Sequence, residues 1–224
     1  MCKVLHTFTT VEGLLFVSIR AKTRYVLFLF FFYFCSYFLI QSAITSSNHD
    51  FLTAVDQLIP FVPEFIWIYH TMVPVFLITT ILLIKRKDVF YTAFLSILLA
   101  TVVMNLFYVY LPVSYPREIW QPTDMSASSV FVELTRQIDG SNNAFPSGHV
   151  TLSWLLTLLV GLTSFAKKHK WTQCIYVLWA SLISVSTLVL KQHFMVDVLS
   201  GVILATLCYF LVKRFVFERA SLTS

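Results

Sequence analysis

Six apolar runs, separated by polar or basic residues, organise the chain: residues 24–44, 65–84, 89–111, 148–166, 171–190 and 194–212. Each is close to the roughly 20 residues that an α-helix needs to cross about 30 Å of hydrocarbon. The pattern predicts an all-α, polytopic membrane protein, a six-transmembrane helix bundle. No internal repeat or low-complexity tract divides it, and its 224 residues read as one membrane domain, 1–224. The first run could also be a secretory signal. Its apolar core and the segment before it are both long for one, so it is read as an anchor.

Two connections between the runs are long. In 45–64, Phe51, Leu52, Val55, Leu58 and Ile59 make an apolar stripe that Pro60 and Pro63 end. In 112–147, Ser128 or Ser129 is positioned to cap a helix with Val130, Phe131, Leu134 and Ile138 on one face and Glu133, Arg136 and Gln137 toward water. Both read as short interfacial helices in the extracytoplasmic loops, and the length of the second loop hints at function. Trp67, Tyr115 and Trp120 read as interfacial anchors, and Asp139, Asn142 and Asn143 as turn formers. His70 and Asn105, inside spans, are expected to be satisfied by neighbouring helices. His49 and His169 read as ordinary loop residues.

Composition excludes the soluble classes. Only 12% of residues are charged, 22 are Phe, and mean hydropathy is +0.78. Such a chain cannot cover itself with polar surface, so the bilayer is its solvent. The net charge of +5 gains its meaning from position. Lys3, Arg20, Lys22, Arg24, Lys85, Arg86, Lys87, Lys167, Lys168, Lys170, Lys213, Arg214 and Arg219, 13 of the 16 cations, fall on one side of the six-span plan. Short basic loops stay in the cytoplasm, which puts both termini there. Cations arranged between spans point to the bilayer as partner and not to nucleic acid. Cys2, Cys35, Cys174 and Cys208 form no CxxC pair; they read as small buried hydrophobes, with no disulfide expected.

The same plan brings Arg117, Ser147, Gly148, His149, Lys191, His193 and Asp197 to the outer, periplasmic or luminal face. His193 and Asp197 are four residues apart, one helical turn on one face. A carboxylate beside an imidazole fixes its tautomer and favours the imidazolium, which suits a histidine nucleophile or base. The plainer alternative is a pair that caps a helix. In "NNAFPSGHVT", residues 142–151, Pro146 and Ser147 read as a helix start. Its free N–H groups and dipole make an anion site, Gly148 permits close approach, and His149 stands beside any phosphate held there. Alone, this stretch also fits a helix cap with an interfacial histidine.

Together, "PSGH" and, about 40 residues later, "S-x6-H-x3-D" resemble the type 2 phosphatidic acid phosphatase superfamily. That superfamily includes lipid phosphate phosphatases, lipid phosphotransferases, inositol phosphorylceramide synthases and vanadium haloperoxidases. The resemblance implies that His193 is the nucleophile that becomes phosphohistidine and Asp197 its orienting partner. By the same match His149 protonates the leaving oxygen, and Ser147, Gly148 and Ser186 contact phosphate. Two departures stand out. Thr187 occupies the position where the family usually has Arg, and Lys191, four residues on, looks like a replacement cation, a point charge in place of a fork. The first family segment, Lys, six residues, Arg-Pro, retains only Arg117, in "YPREIW". Arg136, a possible second cation, is read as solvated or facing headgroups.

A phosphoryl transition state spreads its charge over three equatorial oxygens. Arg117, Lys191, the helix end at Ser147 and protonated His149 are expected to cover them, with no metal and no cofactor. The expected function is hydrolysis of a lipid phosphate or pyrophosphate. Transfer to a hydroxyl acceptor, as in inositol phosphorylceramide synthase-like members, is the alternative. A non-catalytic lipid-binding pseudo-enzyme is the rival from another class.

Overall fold

A computed structural model describes residues 16–44, 51–117, 121, 122 and 124–222; Cys2, His49 and Trp120 lie outside them. The described residues are nearly all helical. Five helical segments are long and apolar enough to cross a membrane: Ile19–Ala43 (α1), Pro63–Leu83, Lys87–Tyr110 (α5), Trp171–Val189 (α9) and Met195–Val216, the apolar part of α10 (Met195–Leu222). The bundle makes the chain an integral membrane protein.

The expected fourth span differs from the reading of six full-length crossings. Helix α7, Gly148–Val160, has 13 residues and covers only about 20 Å. Gly161, Leu162 and Thr163 then turn, and Thr163 caps a five-residue helix, Ser164–Lys168 (α8). The hydropathy of 148–166 is continuous, so the apolar run conceals this break. Short as it is, α7 is the centre of the bundle and packs against α10, α9 and α5. Leu155, Leu156 and Leu159 on it are fully buried, with Met104 and Ala100 of α5 and Ala205 of α10 in the same core.

The second span is also uneven. A 3₁₀ turn at Pro63–Phe65 leads into Ile66–Tyr69 (α3), the chain turns at His70 and Thr71, and Met72–Ile78 (α4) resumes before a π-helical turn at Thr79–Leu83. Pro74 has no N–H to give the carbonyl of His70, four residues before it, so the ladder is interrupted there. Tyr69, just before the interruption, is buried, whereas His70 is exposed and stands against Phe131. Helix α1 begins at Ile19, earlier than the apolar run, with Ser18 as its cap. Lys22 is therefore inside the helix and buried, and its ammonium donates to the carbonyls of Ile81 and Ile84 at the end of the π turn. That is a favourable place for a cation, beside the negative end of a helix. At this same end Phe16, Lys85, Arg86 and Lys168 line a cavity of about 560 Å³, so basic residues from two distant stretches gather together.

Both loop helices form. Ala54–Leu58 (α2) has a capping box between Thr53 and Asp56. Its apolar residues face outward, with Leu58 83% exposed, while Asp56 is buried and accepts from Met195 N at 2.7 Å. In a membrane protein this inversion is the stable arrangement, because the outside is lipid and the polar group needs the protein. Ala127–Ile138 (α6) is capped by Ser126, not by Ser128 or Ser129. Arg136 is half-buried instead of solvated: its guanidinium donates to Leu190 O at 3.2 Å and lies 5.3 Å from the Phe61 ring centre. Tyr115 is buried against Phe194 and not at an interface. Of the described cysteines Cys208 is buried, whereas Cys174 is exposed on α9.

Candidate active site

The start of α7 builds one wall. Ser147 caps the helix, its hydroxyl accepting from Val150 N, and its own N–H donates to Asp197 O at 3.2 Å. That bond joins the starts of α7 and α10. Gly201, on α10, makes the approach possible: a Cβ there would stand 3.1 Å from Ser147 O and 3.2 Å from Thr151 Oγ1. Gly148 opens the other side. A Cβ at this position would lie 2.5 Å from the Tyr33 hydroxyl, so any larger residue would fill the space in front of the helix end.

His149 follows on the first turn of α7, and its ring stacks on Tyr69 at 3.9 Å between centres. The stack fixes the plane of the ring, and the interruption at His70 is what brings Tyr69 to it.

His193 stands just before α10. Its Nδ1 is 2.8 Å from Ala144 O and 3.4 Å from Asp197 Oδ2. A backbone carbonyl only accepts, so Nδ1 carries the hydrogen and, in the neutral ring, Nε2 has the free lone pair. Asp197 is fully buried; Oδ2 also accepts from Phe194 N at 2.8 Å, and Oδ1 has no hydrogen-bond partner among the described residues. The pair therefore caps a helix and orients a histidine at once, so the two readings of the spacing do not exclude each other. The helix starts only at Met195, and the contact is made by the carboxylate turning back over the first turn.

Gly148, His149 and His193 line a cavity of about 380 Å³ together with Asp139, Asn143, Tyr37 and Tyr69. Arg117 reaches this wall through Asp139. Its guanidinium donates to Asp139 O, and Nη2 is 3.8 Å from Asp139 Oδ2. The Asp139 carboxylate also accepts from the Tyr37 hydroxyl and, at 3.5 Å, from that of Tyr69. Asp139, read as a turn residue, is thus part of the site's polar wall. No local pattern marks it, because its partners come from α1 and α3. His70 also lines the cavity and meets Thr135 Oγ1 at 2.9 Å.

Three residues stand elsewhere. Helix α9 ends at Val189, and Lys191 has φ 55, so it does not continue the helical face. Its Nζ donates to Asp56 O at 2.7 Å, and burial holds its pKa below the ordinary 10.5 although nearby Asp56 opposes this. Ser186 is buried with its hydroxyl donating to Ile183 O. Thr187, at the position of the family's usual Arg, contributes through its carbonyl, which accepts from Gln192 N and His193 N and so sets the turn that carries His193.

The sequence model of the PAP2 superfamily matches residues 90–221, more than half of the chain and including both histidines, Asp197 and Arg117. Among solved structures, the crystal structure of Aquifex aeolicus LpxE is similar, at 18% identity and a TM-score of 0.47, over 80% of this chain and 92% of that one. No curated protein matches the chain. On the extent of the family match, this membrane-embedded chain belongs to the PAP2 superfamily and is an enzyme of its phosphatase and phosphotransferase type.

Proposed function

We propose that the protein is a lipid phosphate phosphatase that works through a phosphohistidine on the extracytoplasmic face of its membrane. One observation carries the reading: the His193 ring is held through Nδ1 by Ala144 O and Asp197, which leaves Nε2 as a nucleophile in a cavity shared with His149. Nε2 attacks phosphorus in line, forming the P–N bond as the bond to the leaving oxygen breaks. His149, entering as imidazolium, gives that oxygen its proton. Water then attacks phosphorus and passes a proton to His149; the P–N bond breaks, inorganic phosphate leaves, and His193 is restored. Asp197 stabilises the positive ring that forms on attack. The N–H groups at the start of α7 face the charge developing on the phosphoryl oxygens, and Arg117 adds its positive charge from behind Asp139.

A lipid substrate fits an enzyme whose cavity continues past its polar end to Phe34, Phe38, Met72 and Val73. The extracytoplasmic placement rests on the basic residues gathered at the opposite end. Transfer to a hydroxyl acceptor remains the second reading, favoured by the room in the cavity beyond a phosphate. The test is release of inorganic phosphate from lipid phosphates and pyrophosphates by the purified protein in detergent. His193→Ala should abolish it, and wild-type protein quenched in alkali should retain a phosphate that acid removes. Turnover undiminished in His193→Ala would overturn the mechanism.

A further inference from the structure

The phosphoryl end of the cavity uses Gly148, His149 and His193. A second polar stretch lies beside it. Asp139 and Asn143, four residues apart, both line the cavity and both are anchored on Tyr37: Asp139 through the tyrosine hydroxyl, and Asn143 by donating from Nδ2 to Tyr37 O at 3.2 Å. The second bond fixes the amide orientation, because a carbonyl accepts and only the NH₂ can donate to it. Asn143 Oδ1 is then an acceptor, and it has no hydrogen-bond partner among the described residues although the residue is only 3% exposed. A buried acceptor without a donor carries a desolvation penalty, so such groups call for an explanation. Asp139 Oδ2 is also under-used, with its nearest donors at 3.5 and 3.8 Å.

Two acceptors side by side do not suit a phosphate, which offers acceptors of its own. They suit hydroxyl donors. We propose that Asp139 and Asn143 form a subsite for a hydroxyl group of a polyol held next to the reacting phosphate. It rests on the proposed phosphotransfer at His193. The polyol is either the substrate's own headgroup or the alcohol that receives the phosphoryl group. In the second case the alcohol oxygen attacks phosphorus, its proton passes to His149, the P–N bond breaks, and a phosphate ester leaves in place of inorganic phosphate.

The two sources are separated by two assays. The first compares phosphatidylglycerol phosphate with its analogue built on 1,3-propanediol, which lacks only the free hydroxyl. A hydrogen bond to a charged group supports a preference of about tenfold or more in kcat/KM. The second gives the enzyme phosphatidic acid with glycerol or myo-inositol and looks for the polyol phosphate. Either preference or transfer supports the subsite, provided that Asp139→Asn and Asn143→Gly each reduce it several-fold relative to hydrolysis of plain phosphatidic acid. Glycine is chosen because Asn143 has φ 62, a conformation that larger residues resist. The His193→Ala protein reads the subsite without turnover: in nanodiscs it should bind phosphatidylglycerol phosphate about tenfold more tightly than the propanediol analogue. No preference and no transfer in the wild type, equal binding of the two lipids where the wild type shows a preference and no transfer, or a preference or transfer that survives both variants overturns the proposal. In the first of these the phosphatase reading still stands.

Discussion

Asp197→Asn separates two things that the Asp197 carboxylate does. The substitution keeps the shape and leaves an oxygen to accept from Phe194 N, so the cap on α10 survives. What is lost is the negative charge 3.4 Å from His193 Nδ1. Where a carboxylate alone holds an imidazole, losing it also frees the wrong tautomer, and the penalty is very large; in chymotrypsin-like proteases the corresponding change costs about 10⁴ in kcat. Here Ala144 O, at 2.8 Å, is nearer to Nδ1 than the carboxylate is, and it stays in the variant. The tautomer should therefore persist. The remaining loss is one interaction with a charged group, about 1.5–3 kcal/mol, which corresponds to about a 10- to 150-fold fall in kcat/KM. The assay is phosphate release from phosphatidic acid in detergent, with thermal unfolding measured alongside. Asp197→Ala should lose similar activity and, with its cap, about 1 kcal/mol of stability. A fall near 10⁴ in Asp197→Asn would refute the argument, because it would mean that the carbonyl does not hold the ring. Unaltered activity would refute it from the other direction.

Gly148→Ala should lower activity at least tenfold with little loss of expression, since its Cβ and the Tyr33 hydroxyl cannot both keep their places beside the helix end; Tyr33→Phe in the same chain should restore part of it. Arg117→Lys should raise KM more than it lowers kcat, because a point charge cannot bond the Asp139 carbonyl and face the carboxylate as the planar fork does. For Lys191 the sign follows from burial. Its folded-state pKa lies below the ordinary 10.5, so the unfolded chain binds the proton more tightly, and stability rises with pH between the folded value and 10.5. Thermal unfolding followed as pH approaches 10.5 should show this rise, and Lys191→Met should flatten it. Met125, 89% exposed beside α6, tests the orientation: in a cysteine-free background Met125→Cys should react with an impermeant thiol reagent on intact cells, and labelling only after lysis would reverse the topology.

What could be read from the sequence, and what could not, divides along one physical line. Apolar periodicity reports a helix's need for lipid, so five of the six spans and the two loop helices were legible. The spacing of His193 and Asp197 is local, so their contact was legible too. Lys191 was expected on the helical face of Thr187, four residues before it, but that inference assumed that the helix runs on to residue 191. Helix α9 stops at Val189, and the lysine takes a left-handed conformation toward Asp56 O. A stop of that kind inside an apolar stretch leaves no polar mark, as the break after α7 also shows. Asp139 was hidden for the opposite reason: its meaning comes from Tyr37 and Tyr69, about 100 and 70 residues away. These two differences change the electrostatics in the same direction. Of the expected fixed cations, only Arg117 reaches the polar wall of the cavity, and it arrives already partnered by Asp139. On the proposed mechanism the charge on a bound phosphate is therefore met mainly by the backbone N–H groups of the first turn of α7, beyond that of Ser147, which donates to Asp197 O, and by the proton that His149 gives. A site built this way stabilises charge through fixed dipoles more than through mobile cations. Its activity should then depend less on salt than on the integrity of the turn at "PSGH".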